Sequence, residues 1–469
     1  MNIIIKDIGK IEHADIALDG ITIIAGENNT GKSTIGKAVY SVFNELGNWE
    51  RIYYEACAKG IYAVVSKAAK ALESFCMEKT GAARRRTNRT NKLVVELSYD
   101  KDFITYVEDY KNSDIMSKGD AEWTGVLLAN RLMQFYQEYV RVYQKNAIDL
   151  ITQNKDFFDQ WNLKIIEELI SEVEIDERIL QGRVINKSLT DCFRRQYIRE
   201  GSDCGYIAIS DCDIEYEITL EIFGCMLSSP IRFDKNIYFI ESPKLFDEIG
   251  KYRWRLNPVD ELKEIMIPNS LMNIKRTPLL TRYDDVLETI IENESEELDE
   301  ILGMLRTEMG GSAYFYEKSG IKFKDDSLKT PIDAQNVSTG LKAMAFLEYA
   351  LRMEAIQKGD VLILDEPEIN LHPEWQVSYA RALVLLHKIY NLTILITSHS
   401  PYFIRAIECL SDKYDVMDNL NVYLVDKDAD GKQKIDNVME SEYGMTELYD
   451  KLSAPLDSLQ DEINKKYGE

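Results

Sequence analysis

The chain has 469 residues, of which 45% are hydrophobic and 29% are charged. No stretch reaches the roughly 18 consecutive apolar residues of a membrane helix, so the composition is typical of a globular protein longer than one domain. The net charge of −24 argues against indiscriminate binding to nucleic acid, because most of the surface would repel phosphate.

The amino terminus and the cysteines indicate the compartment. The apolar patch at residues 1–5 is too short for a signal peptide and is followed at once by Lys6 and Asp7. The seven cysteines are scattered without a Cys-x-x-Cys pair, which argues against a disulfide framework and against a zinc site. We therefore expect a cytoplasmic protein without membrane contact.

The first strong motif is a glycine loop at residues 26–33. It spells G-x-x-x-x-G-K-S after the apolar run Ile21–Ala25, which predicts a strand, a loop and a helix in that order. Gly26 and Gly31 permit positive φ and close backbone approach, so that N–H groups of the loop can point at a phosphate. The N-terminus of the following helix adds partial positive charge. The alternative is a fortuitous glycine turn at the start of a helix.

This loop predicts binding of a nucleoside triphosphate. Lys32 would reach the β- and γ-phosphates, and the Ser33 hydroxyl would be a ligand of Mg²⁺. The predicted nucleotide-binding residues of the segment are Gly26, Glu27, Asn28, Asn29, Thr30, Gly31, Lys32, Ser33 and Thr34.

The sequence that follows the loop is mostly helical in character. An apolar stripe with steps of four and three predicts an amphipathic helix over 126–146, whereas weak alternation predicts a strand over 93–107. Further helices are expected over 33–46, 49–77 and about 157–179.

A basic cluster occupies residues 84–92, with five cations and no acid. One interpretation is a solvated loop, since no aromatic residues interleave to stack bases. The other is a local contact with nucleic acid, which the overall negative charge leaves open.

The segment from 205 to 323 changes to a β pattern. Period-two alternation predicts strands over 206–209 and 215–220, and an apolar run predicts another over 236–240. An acid-rich helix over 283–306 and a hairpin over 313–323 are expected to follow.

Two further strands carry polar residues at their ends. Val361–Leu364 is followed by Asp365, which would hold Mg²⁺ through water, and by Glu366, which would polarise an attacking water as general base. The apolar strand 392–397 leads to His399, which can donate a hydrogen bond to a γ-phosphate. Alternatively, the two acids simply end a strand and the histidine is structural.

With these motifs the chain resembles the ABC-type ATPase superfamily, in particular its SMC, RecF and OLD-like branch, which includes AAA-family ATPases of prokaryotic defence systems. Residues 26–33 match its Walker A motif, Ile363–Glu366 its Walker B motif, Asn336–Lys342 its signature loop and residues 398–400 its switch-histidine segment. The resemblance implies ATP and Mg²⁺ as cofactors. It also implies an α/β fold, namely an ABC-type P-loop ATPase head with an antiparallel β subdomain and a helical insertion.

The resemblance further implies a site shared between two subunits. Ser338, Thr339 and Gly340 would bind the γ-phosphate held by the other subunit of a head-to-tail dimer, with the N-terminus of the following helix as the anion site. Thr339 replaces the usual first glycine and Leu341 the usual Glu or Gln, so this contact is expected to be weaker or differently tuned. His372 stands where many relatives have an aspartate, and the form Leu371-His372-Pro373 is that of the OLD-like branch. No residue can be assigned as the Q-loop glutamine or as the aromatic side chain that stacks on adenine.

We expect the head to consist of residues 1–110 and 205–469, with the helical insertion at 111–204. About 70 residues follow the switch histidine, which is too few for the nuclease domain of the OLD type. Asp428–Gly431 superficially matches a metal motif, but the turn of a hairpin between 422–425 and 434–435 is the more natural interpretation.

We therefore expect an ATPase that forms a dimer or a higher oligomer and controls a separate effector, such as a nuclease, in antiviral defence. One alternative is a RecF-like or SMC-like DNA-maintenance ATPase. The other is a nucleotide-gated scaffold with little turnover. A transporter ATPase fits the large insertion poorly.

Overall fold

The computed structural model describes residues 1–47, 49–81, 88–111, 118–143, 146–173, 175–211, 214–221, 224–233, 235–241, 266, 296–316, 320–427 and 433–467. The chain divides into two compact units. Met1–Gly47 and Gln181–Glu469 form one unit, here called the head, and Asn48–Leu180 forms the other, here called the helical unit.

All strands of the described residues belong to the head. They are β1 (Asn2–Ile8), β2 (Ile11–Ala17), β3 (Ile21–Gly26), β4 (Gly205–Asp211), β5 (Ile214–Glu221), β6 (Gly224–Leu227), β7 (Ile237–Ile240), β8 (Gly311–Tyr316), β9 (Gly320–Asp325), β10 (Ile332–Asp333), β11 (Val361–Asp365), β12 (Thr393–Ser398), β13 (Leu420–Lys427) and β14 (Gln433–Asn437).

The helices are distributed over both units. They are α1 (Lys32–Gly47), α2 (Trp49–Thr80), α3 (Asn88–Ser98), α4 (Lys101–Lys111), α5 (Lys118–Arg141), α6 (Ala147–Gln153), α7 (Lys155–Val173), α8 (Glu177–Cys192), α9 (Glu296–Met309), α10 (Thr339–Arg352), α11 (Pro373–Tyr390), α12 (Pro401–Lys413) and α13 (Gly444–Tyr467). None of the described helices combines the length and apolarity that a membrane crossing requires.

The main sheet of the head has six strands in the order β14-β13-β3-β12-β11-β7. Every neighbouring pair is parallel except β13 and β14. Its inner strands are continuous apolar runs because both faces are covered. Ile23 lies in a core that includes α10 and α11, whereas Ile24 lies in a second core that includes α1. Likewise, Leu362 lies in the first of these cores and Ile363 in the second.

Two smaller antiparallel sheets complete the head. One has the strand order β2-β1-β4-β5-β6 and the other β10-β9-β8. The alternation that predicted strands over 206–209 and 215–220 is confirmed, since β5 buries Tyr216, Ile218 and Leu220 and exposes the residues between them in part or fully. The predicted strand at 236–240 and the predicted hairpin at 313–323 are also found, as β7 and as β8 with β9.

The helical unit corrects one prediction. The strand expected over 93–107 is wrong, because these residues form α3 and α4. Val94 and Leu97 of α3 and Ile104 and Val107 of α4 are buried in the core of this unit, and the spacing of three within each pair places its members on one side of their helix. The β-branched side chains of valine and isoleucine favour a strand in isolation, but packing against neighbouring helices overrides that preference.

The boundaries of the helical unit also differ from those expected. Because α2, α3 and α4 pack into one core with α5 and α7, the unit runs from Asn48 to Leu180, whereas the sequence suggested 111–204. The predicted amphipathic helix over 126–146 corresponds to α5, which buries Leu128, Leu132 and Tyr139.

Several sequence features fall partly or wholly outside the described residues. Asp428–Gly431 and Arg84–Arg86 lie outside them, and the helix expected over 283–306 is described only from Glu296 onward, as α9. In the described part of the basic cluster, Lys92 Nζ lies 3.2 Å from a carboxylate oxygen of Glu96.

Candidate nucleotide-binding site

The topology of the main sheet brings the predicted site residues to one edge. Because β3, β12 and β11 are adjacent and parallel, their carboxyl ends lie side by side. β3 leads into the glycine loop, β11 ends at Asp365 and β12 ends at Ser398. Residues that are far apart in the sequence therefore meet at one edge of the sheet, and ligands of open parallel sheets bind outside this edge.

The glycine loop has the backbone geometry of a phosphate cradle. Gly26 and Gly31 have φ of 154° and 99°, and Asn29 has φ of 67°. The Thr30 hydroxyl donates to the Glu27 carbonyl at 2.8 Å, which closes the loop on itself. α1 begins at Lys32, so its free N–H groups face the loop.

Lys32 is held at the centre of the site. Its side chain is 4% exposed, and Nζ donates to the carbonyls of Gly26 at 2.8 Å and Glu27 at 2.7 Å. Nζ also lies 3.7 Å from Oε1 of Glu366. Burial lowers the pKa of Lys32, and the nearby carboxylates, Glu366 first, act in the opposite direction.

Ser33 and Asp365 form the candidate Mg²⁺ site. The Ser33 hydroxyl donates to Oδ1 of Asp365 at 2.9 Å, and the Thr397 hydroxyl donates to the same oxygen. Mg²⁺ is commonly bound through one or two carboxylates together with phosphate oxygens and waters. A hydroxyl beside one carboxylate fits that donor set, and among the described residues no group of three or more His, Cys, Asp and Glu could hold a metal ion alone.

Glu366 and His399 face each other at this edge. His399 Nδ1 lies 3.3 Å from Oε1 of Glu366. The Glu366 backbone N–H donates to the Thr397 carbonyl at 3.0 Å, which fixes β11 against β12 at the point where both strands end. Glu366 has φ of 50°, a conformation that is uncommon for residues other than glycine and that is found at functional sites.

The signature segment lies at a helix N-terminus, as predicted. Ser338 is the N-cap of α10, and its hydroxyl accepts from the Leu341 N–H at 3.4 Å. Ser338 and Thr339 are exposed, whereas Gly340 is buried. A Cβ at Gly340 would lie 2.6 Å from the carbonyl oxygen of Asn370, so this glycine permits α10 to approach the turn that follows Glu366.

His372 has a structural role that its sequence context did not reveal. It is the N-cap of α11, where its Nδ1 accepts from the Glu374 N–H at 3.4 Å and Pro373 occupies the first turn.

Three residues outside the motifs surround the glycine loop. Lys10 donates to the side chain of Asn29, and Gln433 donates to the Thr30 carbonyl. A Cβ on Gly31 would lie 2.9 Å from Cδ1 of Ile11 and 3.2 Å from Nε2 of Gln433. We call Lys10, Ile11 and Gln433 the loop brace. Sequence reasoning missed it because Thr30 and Gln433 are 403 positions apart and neither neighbour of Gln433 carries a motif.

Comparison with known proteins identifies the family. Residues 1–404 match the family described as AAA ATPase domain. The chain belongs to this family. As an AAA ATPase domain protein it is a P-loop ATPase, which confirms the predicted resemblance to ABC-type and SMC-like AAA ATPases at that level. The predicted α/β head with an antiparallel β subdomain and a helical insertion is likewise confirmed.

Individual relatives of this AAA ATPase are distant. The energy-coupling factor transporter ATP-binding protein EcfA2 of Clostridium perfringens is 27% identical over 167 residues, which are 35% of this chain and 55% of that protein. The chain thus matches about half the length of that relative.

Solved structures that are similar to this chain include SMC heads. One is an SMC head bound to the C-winged helix domain of ScpA, with a TM-score of 0.42, 13% identity and coverage of 93% of this chain and 97% of that chain. Another is the SMC head domain from Thermotoga maritima, with a TM-score of 0.36, 11% identity and the same coverage of 93% and 97%.

Proposed function

We propose that this AAA ATPase binds Mg²⁺ and ATP at the carboxyl edge of its main sheet and hydrolyses the β–γ phosphoanhydride bond. The observation that carries the proposal is the meeting of Lys32, Asp365, Glu366 and His399 at the ends of three adjacent parallel strands. A fortuitous glycine turn would have no reason to meet a strand-end carboxylate pair and a histidine.

Each residue has a defined part in the proposed reaction. Lys32 places its charge against the β- and γ-phosphates. The phosphate oxygens compete for its ammonium group with the carbonyls of Gly26 and Glu27, to which Nζ donates in the structure. Ser33 and Asp365 would hold Mg²⁺, which when bound would neutralise charge that develops on the phosphate oxygens.

Glu366 and His399 act on the reacting groups. The Glu366 carboxylate accepts a proton from the water whose oxygen forms the new bond to the γ-phosphorus, while the bond between that phosphorus and the bridging oxygen breaks. The His399 ring, whose Nδ1 lies 3.3 Å from Oε1 of Glu366, donates from its other nitrogen to the γ-phosphate.

The proposal extends to a second copy of the chain. Ser338 and Thr339 are exposed at the N-terminus of α10, a position suited to bind an anion that another subunit presents. We therefore propose a head-to-tail dimer in which each signature segment meets the γ-phosphate held by the other subunit. The further proposal that this dimer controls a separate effector, a nuclease of an antiviral defence system, rests on the resemblance to defence ATPases alone.

Steady-state phosphate release tests the enzymatic part. Wild-type protein should release phosphate from ATP with Mg²⁺, and the Lys32→Ala and Glu366→Gln variants should not. Equal rates in all three proteins would contradict the proposal. Measuring the rate with and without duplex DNA distinguishes a DNA-maintenance ATPase, which DNA should stimulate, from one that responds to another trigger.

A further inference from the structure

A buried carboxylate lies between the two strand ends of the site, outside the motifs considered so far. Glu368 follows Glu366 by two positions and is 3% exposed. Its Oε1 accepts from the Ser398 hydroxyl at 2.6 Å and from the His399 backbone N–H at 3.3 Å. Glu368 thus joins the turn after β11 to the segment after β12.

The contacts of Glu368 continue into both neighbouring elements. Its backbone carbonyl accepts from the Leu371 N–H at 3.0 Å, which closes the turn on its own side. On the other side, the Ser398 hydroxyl accepts from the Ser400 N–H at 3.1 Å, and Ser400 is the N-cap of α12. The carboxylate therefore determines where the peptide of His399 lies relative to β11.

The imidazole of His399 lies between two carboxylates. Its Nδ1 is 3.3 Å from Oε1 of Glu366 and 3.8 Å from Oε1 of Glu368. Within the described part of the chain, neither this nitrogen nor Oε2 of Glu368 has a hydrogen-bond partner of good geometry, although both atoms are buried. Unsatisfied buried polar groups are rare and are found where a site must rearrange or bind.

We propose that Glu368 is a positioning residue that fixes His399 at the γ-phosphate. The proposal rests on the proposed ATPase activity. Within the described residues the hydrogen bonds of Glu368 are with Ser398, His399 and Leu371 and none is with the glycine loop, so Glu368 is not placed as a direct ligand of the nucleotide. Its loss should therefore lower kcat and leave the affinity for ATP unchanged. Burial raises the pKa of Glu368, and the hydrogen bond from Ser398 opposes that shift.

The test uses Glu368→Ala, Glu368→Gln, His399→Ala and the double variant Glu368→Ala with His399→Ala. Glu374→Ala is the matched control, because Glu374 is a carboxylate on the same segment with a side chain 86% exposed. We expect Glu368→Ala to lower kcat on the order of tenfold or more, as loss of an orienting partner commonly does. Glu368→Gln keeps an acceptor oxygen for Ser398 and for the His399 N–H, so it should retain much more of the activity.

The double variant separates positioning from a general effect on stability. If Glu368 acts through His399, removing it from the His399→Ala protein should cost no further activity. Additive losses, or a raised Kd for ATP in Glu368→Ala, would overturn the proposal. Absence of turnover in the wild-type protein would contradict the proposed function and not the role of Glu368. The role of Glu368 is then tested by a second measurement that needs no turnover.

That second measurement observes the histidine itself. The chain contains four histidines, so a long-range ¹H–¹⁵N spectrum of protein labelled at histidine is assignable by comparison with His399→Ala. Glu368→Ala should shift the nitrogen resonances of His399 and leave those of His13, His372 and His387 in place. An unchanged His399 would overturn the proposal, and a shift of all four would indicate general unfolding and overturn it too.

Discussion

Nζ of Lys32 lies 3.7 Å from Oε1 of Glu366, so the cation proposed to bind phosphate and the carboxylate proposed as base form an ion pair. The pair joins the start of α1, which follows β3, to the residue after β11. Lys32 is 4% exposed, and an unpaired ammonium in that position would be costly. The pair directs both side chains at the edge where β3, β12 and β11 end. Removing either partner leaves the other partly buried without its counter-charge.

The Lys32→Ala variant should lose most of its affinity for ATP. The ammonium contributes charge directly to two phosphates in a partly desolvated cradle, where charge-assisted hydrogen bonds are strong. Isothermal titration calorimetry measures the change. Lys6→Ala is the control, because Lys6 is an exposed lysine of β1. Equal affinities for ATP in wild type and Lys32→Ala would contradict the phosphate-loop assignment.

The Glu366→Gln variant should bind ATP and fail to hydrolyse it. The amide cannot accept the proton of the attacking water, while Asp365 and Ser33 remain in place for Mg²⁺. The ATP-bound protein should then persist as a dimer in size-exclusion chromatography, since the step that would release it is blocked. Hydrolysis at the wild-type rate would show that another group is the base.

The Gln433→Ala variant tests the loop brace. Gln433 donates to the Thr30 carbonyl and accepts from the Glu12 N–H at 3.3 Å, so its loss should loosen the glycine loop where it would bind the β-phosphate. One hydrogen bond contributes about 1 kcal/mol, which corresponds to a Kd roughly threefold to tenfold higher for ADP and ATP alike.

The brace predicts a distinct kinetic pattern for this variant. Since the effect is on the ground state and the transition state equally, kcat should be unchanged and KM should rise. Lys434→Ala is the control, because Lys434 is exposed and its Nζ pairs with Asp436 at 2.7 Å. A fall in kcat at constant KM would contradict a bracing role for Gln433.

The parts of this protein that were predictable from sequence are those whose chemistry is local. The glycine loop, the carboxylates after β11 and the histidine after β12 each follow a buried apolar strand, and the strand order of a parallel sheet brings such ends together. The helix start at Ser338 could also be anticipated, because a long apolar segment follows it.

The missed features depend on contacts that the chain makes only when folded. α3 and α4 were expected as a strand, because Val94 and its β-branched neighbours favour extended backbone until helices surround them. Gln433, on β14, reaches the loop because β14 pairs with β13 and β13 with β3, and Lys10 reaches it from the turn between β1 and β2. Glu368 differs from a surface carboxylate only by its burial against Ser398.

Alanine at Gly340 should destabilise the head. The added Cβ would lie 2.6 Å from the Asn370 carbonyl and 3.3 Å from the Trp375 ring, so α10 must shift, at a cost of about 1–3 kcal/mol. Gly303→Ala is the matched control, because Gly303 lies in α9 with nothing within 4 Å of its Cβ position. That control should gain about 0.5–1 kcal/mol through higher helix propensity. Thermal unfolding measures both changes, and an unchanged Tm for Gly340→Ala would favour a role in ligand binding over a role in packing.

The shared site predicts complementation between two inactive variants. Ser338→Arg places a large side chain at the exposed N-terminus of α10, and Lys32→Ala removes the phosphate cation, so each variant alone should be inactive. In a mixed dimer, one composite site combines an intact glycine loop from one subunit with an intact signature segment from the other. Mixing the two proteins should therefore restore partial turnover, and the specific activity of wild type should rise with protein concentration until dimers saturate.

The control is a mixture of Lys32→Ala with Glu366→Gln. It disables every composite site because both residues act on the same nucleotide: in each mixed dimer one site lacks the cation and the other the base. A constitutive oligomer would flatten the concentration dependence without affecting complementation, provided that subunits exchange. Demonstrated subunit exchange without recovered activity would contradict the shared site and favour a nucleotide-gated scaffold.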